Sequence, residues 1–364
     1  MSARTVAIVG AGLAGSRAAE TLRAEGFDGR VVLIGDEPAL PYERPALSKE
    51  FLAGSRDERS LQLRTPAFWD DREIELLLGR RVTELDPVER IVRTSRGDEL
   101  RFDDVVLATG ARPRRLPLDR PAGVHELRTL ADARALREEL IPGARLVVLG
   151  GGFVGAEVAS TASSLGVDVT IVEAGPAPVA RVLGHEVGLR LAERWRARGA
   201  RVLLRTGAAH VRSDASGRVV SLLLTDGAEL RADVVLVAVG VEPARELTPV
   251  RPALHVRLAG DVTGSGHWTA AALDGVRAAR GILGLAEPAP QPAYVWSDQF
   301  GLRLQLVGTP SPDDTCEIDG DDESFAVHYV DAAGAVRAVL LANRPEEAGA
   351  ARRRLGESMR ELAA

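Results

Sequence analysis

One supersecondary unit occurs twice in this chain, and that duplication constrains the fold more than any other feature. The first copy opens with the apolar run Thr5-Val-Ala-Ile-Val9 and turns through Gly10-Ala-Gly12-Leu13-Ala14-Gly15. An amphipathic helix runs on to Arg23, and a second apolar run, Val31-Val-Leu-Ile34, ends in Gly35-Asp36-Glu37. The second turn begins at Gly150, 140 residues after Gly10. There Arg145-Leu-Val-Val-Leu149 leads into Gly150-Gly-Gly152-Phe153-Val154-Gly155, a helix to about Leu165, and Val169-Thr-Ile-Val172 ending in Glu173. The glycine spacing has a chemical reason. The first glycine makes the tight turn, the second lets backbone amides approach a pyrophosphate, and the third lets helix and strand pack closely. The helix N-terminus adds unpaired N–H groups and a positive dipole end, worth up to ~2 kcal/mol to an anion. The acid closing each unit accepts hydrogen bonds from ribose hydroxyls. One such turn also arises from packing alone, but two complete units point to two dinucleotide sites. The fold class is α/β, with two Rossmann-like dinucleotide-binding domains.

At 364 residues the chain has room for two or three domains. A hydrophobic fraction of 45% with 27% charged residues excludes a disordered or fibrous chain. Apolar runs fall far short of the roughly 18 residues of a membrane helix. The run Val6-Ala-Ile-Val9 passes directly into the glycine turn with no basic segment before it, so it reads as mature structure, and a cytoplasmic protein is expected. The single cysteine, Cys316, excludes an internal disulfide, a dithiol shuttle and a thiolate metal cage, and no metal site is read. A net charge of −6 argues against general nucleic-acid binding. Lysine and arginine total 46, yet Lys49 is the only lysine. In a chain where arginine has replaced lysine almost throughout, the survivor is a candidate for work that a guanidinium does not do.

Two further buried runs close on glycine: Asp103 through Ala108-Thr109-Gly110, and Asp233 through Gly240. Such endings permit close backbone approach to a ligand at a strand's carboxyl end. Hairpin-rich stretches precede them, over residues 82–102 and 202–232, and read as β-meanders covering the two sheets. Pro288-Ala-Pro-Gln-Pro292 reads as a stiff linker. Beyond it come a strand pattern at 302–307, a hairpin of 325–329 with 336–341, and an amphipathic helix over about 345–363. Cys316 falls in a stretch that reads as an acidic, polar loop without a role.

The sequence resembles the FAD-dependent, NADH-using ferredoxin reductases of the glutathione-reductase fold, such as the putidaredoxin, rubredoxin and aromatic-dioxygenase reductases. The resemblance rests on Gly35-Asp-Glu-Pro-Ala-Leu-Pro-Tyr42-Glu-Arg44-Pro-Ala-Leu-Ser-Lys49-Glu, Ala108-Thr-Gly-Ala-Arg-Pro113, Leu127-Arg128-Thr129, Gly152-Phe-Val-Gly-Ala-Glu157, Leu258-Ala-Gly260-Asp261 and Val295-Trp296-Ser-Asp298-Gln299. It implies an FAD domain over 1–111 and 240–287, an NAD domain over 112–239, and an α+β cap over 288–364. In that scheme Gly10, Gly12 and Gly15 hold the FAD pyrophosphate, and Asp36 with Glu37 its ribose. Arg44, Lys49, Val82 and Arg128 line the FAD, Asp261 meets the ribityl chain, Trp268 and Trp296 lie near the ring, and His267 counts among the cofactor-binding residues. Gly150, Gly152 and Gly155 hold NADH, with Glu173 on its ribose. Lys49 and Glu157 form a partly buried ion pair beside the flavin, the catalytic pair, because a cation there favours the anionic reduced ring. Glu173 repels a 2′-phosphate, and Ala174-Gly175-Pro176 brings no arginine cluster, so NADH is expected over NADPH.

The sequence departs from the family at residues 241–260 and 261–268, both shorter than usual. Gly266 and Ala270 replace the glutamate and asparagine that normally flank the His267-Trp268 pair. The implied reaction takes hydride from NADH to FAD and passes electrons singly to an acidic ferredoxin or rubredoxin. The alternatives are a small-molecule acceptor reached through the shortened loops, or a non-catalytic flavin-binding protein. Arg112-Pro-Arg-Arg115 and Arg352-Arg-Arg354 are basic clusters read either as docking points or, more simply, as solvated surface. The chain is expected as a monomer or homodimer.

Overall fold

The apolar runs pair as parallel strands, and the alternation of their side chains decides what covers each sheet face. The computed structural model describes residues 4–251 and 253–363, with side chains through Leu355. One sheet has the order Val256–Leu258, Asp104–Leu107, Thr5–Val9, Arg30–Ile34, Ile74–Leu77, with every pairing parallel. Val6 and Ile8 point to one face, where the helices Leu13–Ala24 and Trp268–Ile282 bury Ala14, Ala18, Leu22, Ala278 and Ile282. Ala7 and Val9 point to the other, packed under Val82, Val92 and Leu100 of a three-stranded meander and Phe102 just after it. The two helices approach closely because position 275 is glycine: a Cβ there would stand 2.2 Å from the Ala14 carbonyl oxygen. The shortened 241–260 stretch still supplies Val256–Leu258, so the sheet keeps its fifth strand.

A second parallel sheet repeats the plan, in the order Arg201–Leu204, Asp168–Glu173, Arg145–Leu149, Val234–Val237, Val124–His125. Leu146 and Val148 face the helices Phe153–Ser164 and His185–Ala197, while Val147 and Leu149 face the meander. Val202 therefore does not open a hairpin-rich stretch, as its sequence neighbourhood suggests. Its run extends the parallel sheet, and the meander begins at Ala208–Ser213.

The chain packs as two units, residues 1–43, 58–112 and 242–289 in one, and 44–57, 113–241 and 290–364 in the other. Residues 44–57, adjacent in sequence to the first nucleotide unit, pack with the second because Leu52 is buried beside Leu136 and Leu140. Thr161 Oγ1 also donates to the Ser48 carbonyl at 2.9 Å. The C-terminal antiparallel sheet runs Tyr294–Gln299, Leu302–Gly308, Val336–Ala342, Phe325–Val330, Thr315–Gly320. It too belongs to the second unit: Leu304, Phe325 and Val327 share the core of that unit's parallel sheet. Tyr329 donates to the Leu183 carbonyl at 3.0 Å, and Arg194 Nη2 to Glu323 Oε2 at 2.7 Å. The helix Pro345–Ala363 covers the opposite face through Ala348. Cys316 lies in the edge strand Thr315–Gly320, not in a loop, and partial burial pushes its thiol up. Among the described residues no helix is long and apolar enough to cross a membrane.

Candidate functional site

The two glycine turns are built alike, and in each the three glycines answer to different neighbours. A Cβ on Gly10 would stand 2.0 Å from the Ala108 carbonyl oxygen, and one on Gly15 would stand 1.9 Å from that of Gly10. In the second unit Gly150 would meet the Ala238 carbonyl oxygen at 2.5 Å, and Gly155 that of Gly150 at 2.2 Å. Packing alone explains these four. Gly12 and Gly152 differ, because a Cβ on either would meet nothing within 4 Å. Both have extended backbone at the N-terminus of a helix, so neither packing nor conformation requires glycine there. A bare backbone there leaves room for a ligand's phosphates to approach the helix N-terminus. Val154, in the first turn of the second helix, is an apolar side chain left 45% exposed.

In the first unit the strand ends converge. Ala108 follows Asp104–Leu107, and Gly260-Asp261 follows Val256–Leu258, where a Cβ on Gly260 would press on Ala14 Cβ at 2.8 Å. The Thr109 hydroxyl donates to the Ala244 carbonyl at 2.7 Å, and Gly110 turns the chain at φ 76°. Of the two acids that follow Arg30–Ile34, Asp36 is half-exposed and paired with Arg81 at 2.8 Å, while Glu37 accepts the Tyr42 hydroxyl at 2.6 Å. Val82 is a core residue of the meander. His267 precedes the helix that begins at Trp268, and burial pushes its imidazole down, opposed by the charge of Asp261.

In the second unit Glu173 accepts the Gly151 amide at 2.7 Å through one carboxylate oxygen and the Gly175 amide at 2.6 Å through the other. Arg44 donates to the Arg128 carbonyl, and the Arg128 amide donates to Asp132 at 3.1 Å. Gly240 follows Val234–Val237 at φ 104°. Trp296 stacks on Tyr294 with ring centroids 6.0 Å apart. The central feature is an ion pair: Lys49 Nζ lies 3.2 Å from Glu157 Oε1, their side chains only 11% and 6% exposed. The Ser48 hydroxyl donates to Glu157 Oε2 at 2.5 Å and the Ser297 hydroxyl to Oε1 at 2.8 Å. These two serines, with Gln299 behind Ser297, fall inside the quoted motifs, but the motifs assign them no role. The available signal was the period-two pattern Ser297, Gln299 on the buried side of a strand. Of the basic clusters, Arg112 is already engaged by Glu242 and Glu246.

Fold and turns together define a glutathione-reductase-type α/β protein with two dinucleotide-binding units. A family model described as pyridine nucleotide-disulphide oxidoreductase matches residues 4–266, and one described as reductase C-terminal matches residues 294–364. The biphenyl dioxygenase system ferredoxin–NAD(+) reductase component of Paraburkholderia xenovorans (strain LB400) is 38% identical, over 97% of this chain and 93% of its own length. The benzene 1,2-dioxygenase system ferredoxin–NAD(+) reductase subunit of Pseudomonas putida is 36% identical, over 84% and 81%. Putidaredoxin reductase, solved in a covalent complex with putidaredoxin, superposes with a TM-score of 0.92 at 31% identity, over 98% of this chain and 94% of that one. The chain belongs to the pyridine nucleotide-disulphide oxidoreductase family, whose ferredoxin–NAD(+) reductase members use FAD and NAD(H). Its one cysteine leaves it no dithiol to reduce.

Proposed function

We propose that this chain is a cytoplasmic NADH-dependent ferredoxin reductase. It takes hydride from NADH at bound FAD and delivers electrons singly to a small iron–sulphur protein of the ferredoxin or rubredoxin type. The observation that carries this reading is the pair of open middle glycines, Gly12 and Gly152, each at a helix start and each served by an acid at the next strand's end. In this reading residues 1–111 and 240–287 hold FAD, 112–239 hold NADH, and 288–364 form the cap.

Bound FAD would supply a hydride acceptor that can be emptied one electron at a time. The chain's own residues bind and orient. Gly10, Gly12 and Gly15 admit the FAD pyrophosphate to the N-terminus of Leu13–Ala24, with Asp36 and Glu37 toward its ribose. Gly150, Gly152 and Gly155 do the same for NADH at Phe153–Ser164, where Phe153 and Val154 form the first turn. Glu173, held by two backbone amides, presents a carboxylate to a 2′-hydroxyl and repels a 2′-phosphate. Asp261 would meet the ribityl chain, with Ala108, Thr109, Gly110 and Gly260 offering close backbone in the first unit and Gly240 in the second. Val82, His267 and Trp268 of the first unit, and Arg44, Arg128 and Trp296 of the second, are the further residues this reading assigns to the cofactor. Lys49 would supply a positive charge that favours an anionic reduced flavin, and Glu157 keeps that ammonium in place. The test is an anaerobic visible spectrum titrated with NADH and then NADPH, followed by addition of a [2Fe–2S] ferredoxin. Bleaching by NADH and recovery on adding ferredoxin are expected. A protein that cannot be reconstituted with FAD would overturn the reading.

A further inference from the structure

The surroundings of Glu157 hold more than an ion pair. Three donors converge on one buried carboxylate: Lys49 Nζ, the Ser48 hydroxyl and the Ser297 hydroxyl. Ser48 is the residue before Lys49, so Glu157 grips that loop at two successive positions. Ser297 comes from a different element, the strand Tyr294–Gln299, and is fully buried. Its oxygen also accepts Gln299 Nε2 at 3.1 Å.

The direction of these bonds follows from what a buried carboxylate needs. A serine hydroxyl has one proton to give, and Glu157 can only accept while it carries its charge. The Ser297 proton therefore goes to Glu157, and the Gln299 amide turns its N–H toward Ser297. That leaves Gln299 Oε1 buried with no hydrogen-bond partner among the described residues. An unpaired buried carbonyl is costly and calls for an explanation. Here it is the consequence of a chain of donors, Gln299 to Ser297 to Glu157, all pointing one way. Reversing the amide would draw the Ser297 proton to Gln299 and take a donor from the carboxylate.

We propose that Ser297 is a positioning residue for the Lys49 charge: oriented by Gln299, its hydroxyl fixes the Glu157 carboxylate against the ammonium. Through it the C-terminal sheet acts on a side chain from the 44–57 segment. The inference rests on the reading of Lys49 given above for its catalytic consequence, but not for its geometry.

The test exploits the single lysine. Holoenzyme grown on [ε-13C]lysine gives one lysine Cε NMR signal, that of Lys49. Ser297→Ala is expected to shift and broaden this signal at unchanged FAD content. In single turnover it should slow flavin bleaching about tenfold, as loss of a hydrogen bond to a charged group implies, with the half-saturating NADH concentration unchanged. Gln299→Met, which keeps the hydroxyl but removes its guide, should move the signal the same way by less. A parent-like Lys49 signal in Ser297→Ala overturns the proposal, and if that variant does not fold, a parent-like signal in Gln299→Met does so. A displaced signal with parent bleaching supports the positioning role and instead removes Lys49 from the hydride step.

Discussion

The Glu173 carboxylate accepts the Gly151 amide at 2.7 Å, tying the end of one strand to the glycine turn that follows its neighbour. With the Gly175 amide on its other oxygen, the side chain is oriented before any ligand arrives. A carboxylate held this way keeps lone pairs for a ribose hydroxyl and presents a fixed negative charge to a 2′-phosphate.

Replacing Glu173 with alanine removes both effects at once. The preference for NADH over NADPH should narrow by roughly tenfold, the equivalent of about 1.4 kcal/mol for a lost charge-assisted hydrogen bond. Steady-state kcat/KM with each coenzyme checks this, and an unchanged ratio removes Glu173 from coenzyme selection.

The glycines of the first turn separate packing from binding. Gly15→Ala forces a Cβ to 1.9 Å from a backbone oxygen and should cost about 1–3 kcal/mol or more of stability. Gly12→Ala meets open space at a compatible backbone conformation, so stability should stay within about 0.5 kcal/mol. Only the second is expected to lose FAD from a sound fold. Denaturant unfolding of the flavin-free proteins, with visible absorbance after reconstitution, distinguishes them. Full FAD retention by Gly12→Ala would count against a pyrophosphate at that turn.

What the sequence made legible was local. Glycine spacing, the acids that follow and the alternation of Val6 with Ala7 all act within one strand and its turn, so both nucleotide units could be read directly. Partners distant in sequence were not legible. Arg201–Leu204 looks like any apolar strand, and nothing in it says that it pairs in parallel with Asp168–Glu173. Ser297 meets Glu157 140 residues away, and Leu52 is buried with Leu136 far along the chain from it. The strand Thr315–Gly320 alternates half-buried and exposed positions at a sheet edge, which hid it and placed Cys316 in a supposed loop.

Lys49→Met leaves the Glu157 carboxylate buried with two hydroxyl donors and no countercharge. Breaking one side of such a pair costs ~3–5 kcal/mol, whereas removing both charges costs much less. The double variant Lys49→Met/Glu157→Gln should therefore regain most of the stability lost in the single variant. It should not regain the rate of flavin reduction by NADH, because the ammonium is still missing. Thermal melts and stopped-flow bleaching of the two proteins test both statements. Parent-rate reduction in either would assign the pair a structural role only.

His267 gives a pH dependence whose sign follows from its burial. Burial holds its imidazole below the ordinary value of about 6.5, and the Asp261 charge only partly opposes this. As pH falls through that ordinary value the unfolded chain takes up a proton before the folded one does. Stability that is full above about pH 6.5 is then lost progressively, until the pH passes below the depressed folded value. His267→Gln removes this titration while keeping a polar side chain ahead of the helix Trp268–Ile282. Its melting temperature should fall less than the parent's between pH 7.5 and pH 5.5, with other groups contributing equally to both proteins. Parallel pH dependences for the two proteins would mean that the ring is protonated as readily in the fold as out of it.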